Sequence, residues 1–271
     1  LGGITVRRIA VWNKPVVFWI DTCASADPAN FMPGAQLGVL LDQAGYSEQA
    51  IAFHRNALGR LSPQDGNVRL VTANLAESFA REGQYDRAAA AWLEVTRLEP
   101  RLPHAWMRLG RMEAWQRNWK RAREHTVRAL QLAPNDPMIR RQLESLRAWE
   151  QVEAELPDVA AAQGDPELML RRARMLALLG KVAEAEQAWR AVLQREAGGE
   201  AFHDGMLFYA QMAEPRHART ALSILARVGE SSAASDGIRA MLTAKAEESA
   251  RIETHRKGIE ACLRRSVSSP P

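Results

Sequence analysis

The sequence predicts an all-α solenoid, a stack of antiparallel helix pairs, and two observations carry that reading. Shifted by 34 positions, residues 69–102 fall on 103–136: Leu75 lands on Leu109, Ala76 on Gly110, Tyr85 on Trp119, Arg87 on Arg121, Ala88 on Ala122, Val95 on Ala129, Leu98 on Leu132 and Pro100 on Pro134. Leucine, aromatic and proline matches in one register mark a repeated supersecondary unit. The second observation is punctuation. Asp136-Pro137 reads as a helix cap with a first-turn proline, and Pro157 and Gly164-Asp165-Pro166 cut short the partner of that helix.

Taken in order, residues 1–30 are an N-terminal extension. Arg7-Arg8, the broken apolar stretch IAVWNKPVVFWI and then Ala24-Ser25-Ala26 resemble an export signal with a small-residue cleavage site. Asn13, Lys14 and Pro15 interrupt that stretch and Asp21 lies close after it, so a packed extension is the competing reading. Residues 31–136 hold three repeats. The first begins near Phe31, with Leu37-Gly38, Gly45, Ala50 and Ala57, and its linker, LSPQDG at 61–66, is four residues longer than the later spacing. Residues 137–164 are a shortened fourth repeat and the expected bend. Residues 165–229 carry two degenerate copies, marked first by Gly180, Ala185, Trp189 and Val192, then by Phe202, Met206, Tyr209, Ala218 and Leu222. Residues 230–265 are a capping helix, with Ile238, Met241, Leu242, Ile252, Ile259 and Leu263 at near-helical spacing, and 266–271 a disordered tail.

These positions resemble the tetratricopeptide repeat family. Residues 103–136 show its Trp106, Leu109-Gly110, Ala122, Ala129 and Pro134, and residues 69–102 show Leu75-Ala76, Gly83, Ala88, Trp92 and Pro100. The resemblance implies a right-handed solenoid of five to six repeats across roughly 31–229. The slots have a physical reading. Small residues let two antiparallel helices approach closely, large ones fill the space beside them, and proline stops the second helix. One pair cannot bury its own apolar face, so stacking supplies the core.

Composition narrows the function. The chain has 271 residues, 46% hydrophobic, with 36 Lys+Arg against 32 Asp+Glu for a formal charge of +4. Residues 101–150 concentrate the positive charge, which points to an acidic partner. No run approaches the roughly 18 apolar residues a membrane span needs. Cys23 and Cys262 lie near opposite ends, which suggests no disulfide framework and makes a reducing, cytoplasmic setting the default, with export or the periplasm the alternative if residues 1–26 act as a signal. The six histidines are scattered, so no metal site is implied, and no phosphate loop, nucleophile elbow or cofactor motif occurs.

The repeat frame sorts the aromatic and basic residues of 104–125, HAWMRLGRMEAWQRNWKRAREH. Trp92, Trp106, Trp119 and Trp189 occupy packing slots, and Lys120, Arg121, Arg123 and Arg128 fall on the outward helix as a solvated face. On the concave side the family's groove slots hold Asn74 and Glu77, then His104, Met107, Arg108, Arg111 and Trp115, then Arg141, then Arg171 and Arg174. Trp149 shares the slot of Trp115. Arginine suits bidentate capture of carboxylate. Some family members clamp a partner's terminal Asp. Asn74 and Arg108 match that clamp, whereas Ala35, Val39 and His104 depart from it. The expected function is a non-catalytic protein–protein interaction scaffold binding an acidic or carboxylate-bearing peptide at Asn74, His104, Arg108, Arg111, Trp115, Arg141, Arg171 and Arg174. The alternatives are the repeat portion of a larger enzyme or secretion or assembly machine, and nucleic-acid binding with Trp115 and Trp149 as stacking platforms.

Overall fold

The computed structural model describes residues 15–27, 30–158, 162, 165–195, 199–211, 218–228 and 233–268. Among these residues all regular structure is helical: α1 (Pro15–Ser25), α2 (Met32–Gln43), α3 (Ser47–Leu58), α4 (Asn67–Arg81), α5 (Tyr85–Leu98), α6 (Pro103–Trp115), α7 (Trp119–Leu132), α8 (Pro137–Ala154), α9 (Pro166–Leu178), α10 (Val182–Arg195), α11 (Gly199–Gln211), α12 (Ala218–Val228), α13 (Ala233–Thr254) and α14 (Arg256–Ser268). Helices pair as hairpins, α2 with α3, α4 with α5, α6 with α7 and α9 with α10, and the first three hairpins stack through α3 on α4 and α5 on α6. The described residues thus form an all-α stack of antiparallel helix pairs.

Local chemistry explains the hairpins. The first helix of each of four pairs ends on a left-handed residue: Gly45 at φ 83°, Gly83 and Gly180 at 71°, and Arg117 at 65°. The residue after each sends its N–H back five positions, as in Gln84 N to Phe79 O at 2.9 Å and Asn118 N to Glu113 O at 2.9 Å, satisfying carbonyls that the helix end leaves open. Arg117 is the non-glycine among them, in a conformation that costs an L-residue roughly 1–2 kcal/mol. At the starts of α8 and α9, Asp136 and Asp165 accept the free N–H groups of Met138 and Glu167, with proline next in each case.

Small residues set how closely the helices approach. Ala76, Ala88, Ala122 and Ala129 are fully buried. A Cβ on Gly110 would sit 2.5 Å from Thr126 Oγ1 and 3.0 Å from Ala122 O, so α6 meets α7 at backbone distance. Trp92 and Trp189 are buried in this core. Trp106 and Trp119 are half-buried rather than enclosed. Trp106 turns outward to give its Nε1–H to Pro100 O at 2.9 Å and lays its ring near His125.

Helix α8 has no described hairpin partner and packs against both α6 and α7. The turn between α9 and α10 then crosses back. Trp115 Nε1–H donates to Leu179 O at 2.8 Å, and the buried Lys181 pairs with the buried Glu153 of α8 at 3.2 Å. Glu153 also takes Arg117 at 2.8 Å, so one carboxylate ties three turns of the solenoid together.

Four expectations change at the ends. The predicted single capping helix is two helices, broken at His255, and the second runs to Ser268, so the expected tail from 266 is helical to that point; 269–271 lie outside the described residues. Rather than covering an open end, α14 returns to α1, α2 and α3. The expectation of two separate thiols is overturned, because Cys23 and Cys262 are disulfide-bonded, with Cα atoms 5.8 Å apart. Spacing along a chain says nothing of which ends meet in space. Residues 1–14 of the possible export signal lie outside the described residues.

Candidate functional site

The groove slots of two successive repeats converge on one cleft of about 310 Å³. Helix α6 contributes Arg111 and Trp115. Helix α8 contributes Met138, Arg141, Gln142, Ser145 and Trp149, and the end of α9 with its turn closes the cleft through Leu178, Leu179 and Gly180. The five residues of α8 stand 34 positions after His104, Met107, Arg108, Arg111 and Trp115. That spacing places them on one face of a helix, at i, i+3 and i+4 from one another.

Polar geometry fixes most of this lining. Gln142 Nε2 donates to Met107 O at 2.7 Å and its Oε1 accepts Arg111 Nε–H at 3.3 Å. Burial pushes the Arg111 guanidinium down from its ordinary value, Arg108 adds to that, and Glu77 opposes it. Arg141 is exposed, and among the described residues its guanidinium meets no acceptor. Apolar side chains flank these cations: Leu178 is 71% exposed and Met138 58%. The cleft thus offers two guanidiniums, one accessible, beside aromatic and aliphatic surface.

The other expected site residues lie elsewhere or are occupied. Arg108 faces Glu77 at 3.4 Å, Arg171 pairs with Glu155 at 3.0 Å, and Arg174 with Asp204 at 2.6 Å. His104 approaches Asp136 at 3.7 Å, and Asn74 is half-buried on α4 outside the cleft. Trp115 is in the cleft wall, but its N–H is spent on Leu179 and its ring lies 5.0 Å from that of Tyr85, so it fastens the wall. On the outward helix Arg123 pairs with Glu150 at 2.8 Å while Lys120, Arg121 and Arg128 are exposed. Met138, Gln142 and Ser145 are not among the expected site residues, although the 34-residue register carries the slots of His104, Arg108 and Arg111 onto them. Leu178–Gly180 are not among the expected site residues, since the repeat register marks Gly180 as a turn and does not show that this turn closes on α6.

A larger hollow of about 400 Å³ opens on α9 and α10, lined by Ala162, Met169, Ala188 and Ala191 with Arg172 and Glu184. The Arg172 guanidinium reaches Pro157 O, and Glu184 and Gln187 are the other polar groups of this lining.

No family model matches the sequence, and no curated protein matches it. Among solved structures, a tetratricopeptide repeat protein from Parabacteroides merdae is similar at 15% identity, over 80% of this chain and 86% of that one, with a TM-score of 0.41. The TPR2AB domain of yeast Sti1, solved in a pHSP90 complex, is similar at 13% identity over 88% and 98% of the two chains, TM-score 0.38. BtubC from P. vanneervenii is similar at 17% identity over 93% and 92%, TM-score 0.36.

Proposed function

We propose that the protein is a non-catalytic interaction scaffold that holds a short acidic segment of a partner protein in the cleft between α6 and α8. The observation that carries this reading is the exposed Arg141, set beside the partly desolvated Arg111 and between the exposed side chains of Met138 and Leu178. A carboxylate entering there gains charge-assisted hydrogen bonds, and an adjacent apolar side chain gains burial. The arginines at 108, 171 and 174 are tied to acids of the chain itself, so the acidic contact narrows to the cleft.

Fluorescence anisotropy with labelled short peptides tests this. Acidic peptides should bind, and replacing Asp/Glu by Asn/Gln, or Arg141 by Glu, should weaken binding by about tenfold to a hundredfold, the size of a lost charged hydrogen bond. Equal binding of acidic and amide peptides would sink the proposal. A nucleic-acid strand is a weaker occupant because Trp115 is already engaged, leaving Trp149 as the ring open to stacking. A retarded band at low salt, lost in Arg141→Glu, would reverse that order. For compartment, the Cys23–Cys262 bond favours an oxidising setting over the cytoplasm. Cell fractionation read on non-reducing gels checks this.

A further inference from the structure

The two ends of the solenoid meet. Cys23 of α1 and Cys262 of α14 are bonded across 239 residues, and both are buried, at 8% and 3% exposure. Tyr46, in the first repeat's turn, shares a 2.8 Å hydrogen bond with Ser249 of α13. The Arg265 guanidinium reaches Ala24 O and Ala26 O. A Cβ on Gly258 would stand 2.8 Å from Ile20 Cγ2, so the backbone of α14 lies directly against the Ile20 side chain of α1. Ile252 and Ile259 join Leu37, Leu41 and Phe53 in one apolar cluster.

The non-covalent hold on α14 is nevertheless thin. Among its described side chains, Ile259 and Cys262 are the buried ones, while Arg256, Lys257, Arg264 and Arg265 are exposed. A detached helix of 13 residues is marginal in water. We propose that the Cys23–Cys262 disulfide is a redox-sensitive latch: oxidised, it keeps α14 seated on α1–α3, and reduced, α14 and α1 come away while α4–α7 stay folded. In an open solenoid each repeat touches its neighbours alone, so the ends fray first. The bond removes both free ends together. Opening needs an external dithiol. Its thiolate attacks one sulfur, the Sγ–Sγ bond breaks, and the departing thiolate takes a proton. The second thiol of the reductant then resolves the mixed disulfide, so two electrons and two protons pass to the cysteines and the reductant leaves as a disulfide.

Hydrogen–deuterium exchange on the full chain, oxidised and after dithiothreitol treatment, tests the latch, with Cys262→Ser as the genetic equivalent. Amides of 15–25 and 256–268 should exchange at least about tenfold faster without the bond, while 67–132 stay unchanged. Equal protection of both segments in oxidised and reduced protein would overturn the proposal. So would simultaneous loss of protection at 67–132, because the bond would then support the whole fold. Alkylation of Cys23 and Cys262 in untreated, air-oxidised native protein would overturn it directly. Because no ligand enters the measurement, its failure is separate from failure of peptide binding.

Discussion

The regular stack α4–α7 and the seams that turn the chain back on itself are held by different means. In the stack the polar contacts join adjacent repeats. Arg108 meets Glu77 and Gln116 meets Tyr85 O, each 31 residues apart, while alanine and glycine let the backbones approach. At the seams the contacts are single and distant: Trp115 with Leu179 across 64 residues, Tyr46 with Ser249 across 203, and the disulfide across 239. Stack energy is distributed over many small apolar burials, and a lost atom is shared among neighbours. Seam energy is concentrated in a few polar or covalent groups, and each of those has no duplicate.

The largest expected effect is at the inner seam. Glu153→Ala leaves Lys181 buried without its carboxylate and should cost about 3–5 kcal/mol in urea unfolding, whereas the paired change Glu153→Leu with Lys181→Met should recover most of it. If the double variant is no better than the single, the seam is not electrostatic. Second comes acid sensitivity inside the first hairpin, where the His54 ring lies against Gly38. His54 of α3 is fully buried, neither ring nitrogen has a hydrogen-bond partner, and burial pulls it down to about 4. The unfolded ring, with its ordinary value near 6.5, takes a proton first as pH falls. Stability supplied by the neutral ring is therefore present above about 6.5 and lost down to about 4, by about 3 kcal/mol in all. Thermal melts across that window should show the slope, and His54→Leu should remove it.

Within the stack the effects should be smaller. Gly110→Ala presses its methyl onto Thr126 Oγ1, whose hydroxyl already serves Ala122 O at 2.8 Å, and should cost about 1–3 kcal/mol. The smallest expected difference is a crossed pair of turn variants. Gly83→Ala should lose about 1–2 kcal/mol to the left-handed backbone. Arg117→Gly regains that strain but gives up one partner of Glu153, and should stay within about 1 kcal/mol of the parent. Calorimetric midpoints for the two would show whether Arg117 is kept for its backbone or for its carboxylate.

This contrast also explains what the sequence made legible. The hairpins of 67–132 come from a period, and a period predicts neighbours: Ala76, Gly110 and Ala122 are buried where small residues were expected. Part of the candidate cleft is legible for the same reason, since Arg111, Trp115 and Arg141 lie on the repeated face. The acids that occupy Arg171 and Arg174 come from Glu155, in the loop after α8, and from Asp204 of a degenerate repeat, where the register is weakest. Leu179 and Cys262 lie beyond the periodic argument, because their partners, 64 and 239 residues away, are not in the adjacent repeat.

The meeting of α14 with α1 also bears on how such a chain can change in length. An open solenoid can gain or lose whole units by duplication or deletion, since every new joint copies an old one. Here a further helix pair would shift α14 by one or two helix spacings of about 8–10 Å each, while Cys23 and Cys262 require a Cα separation of 5.8 Å. The copy number of the repeat is thus locked by the reach of one disulfide.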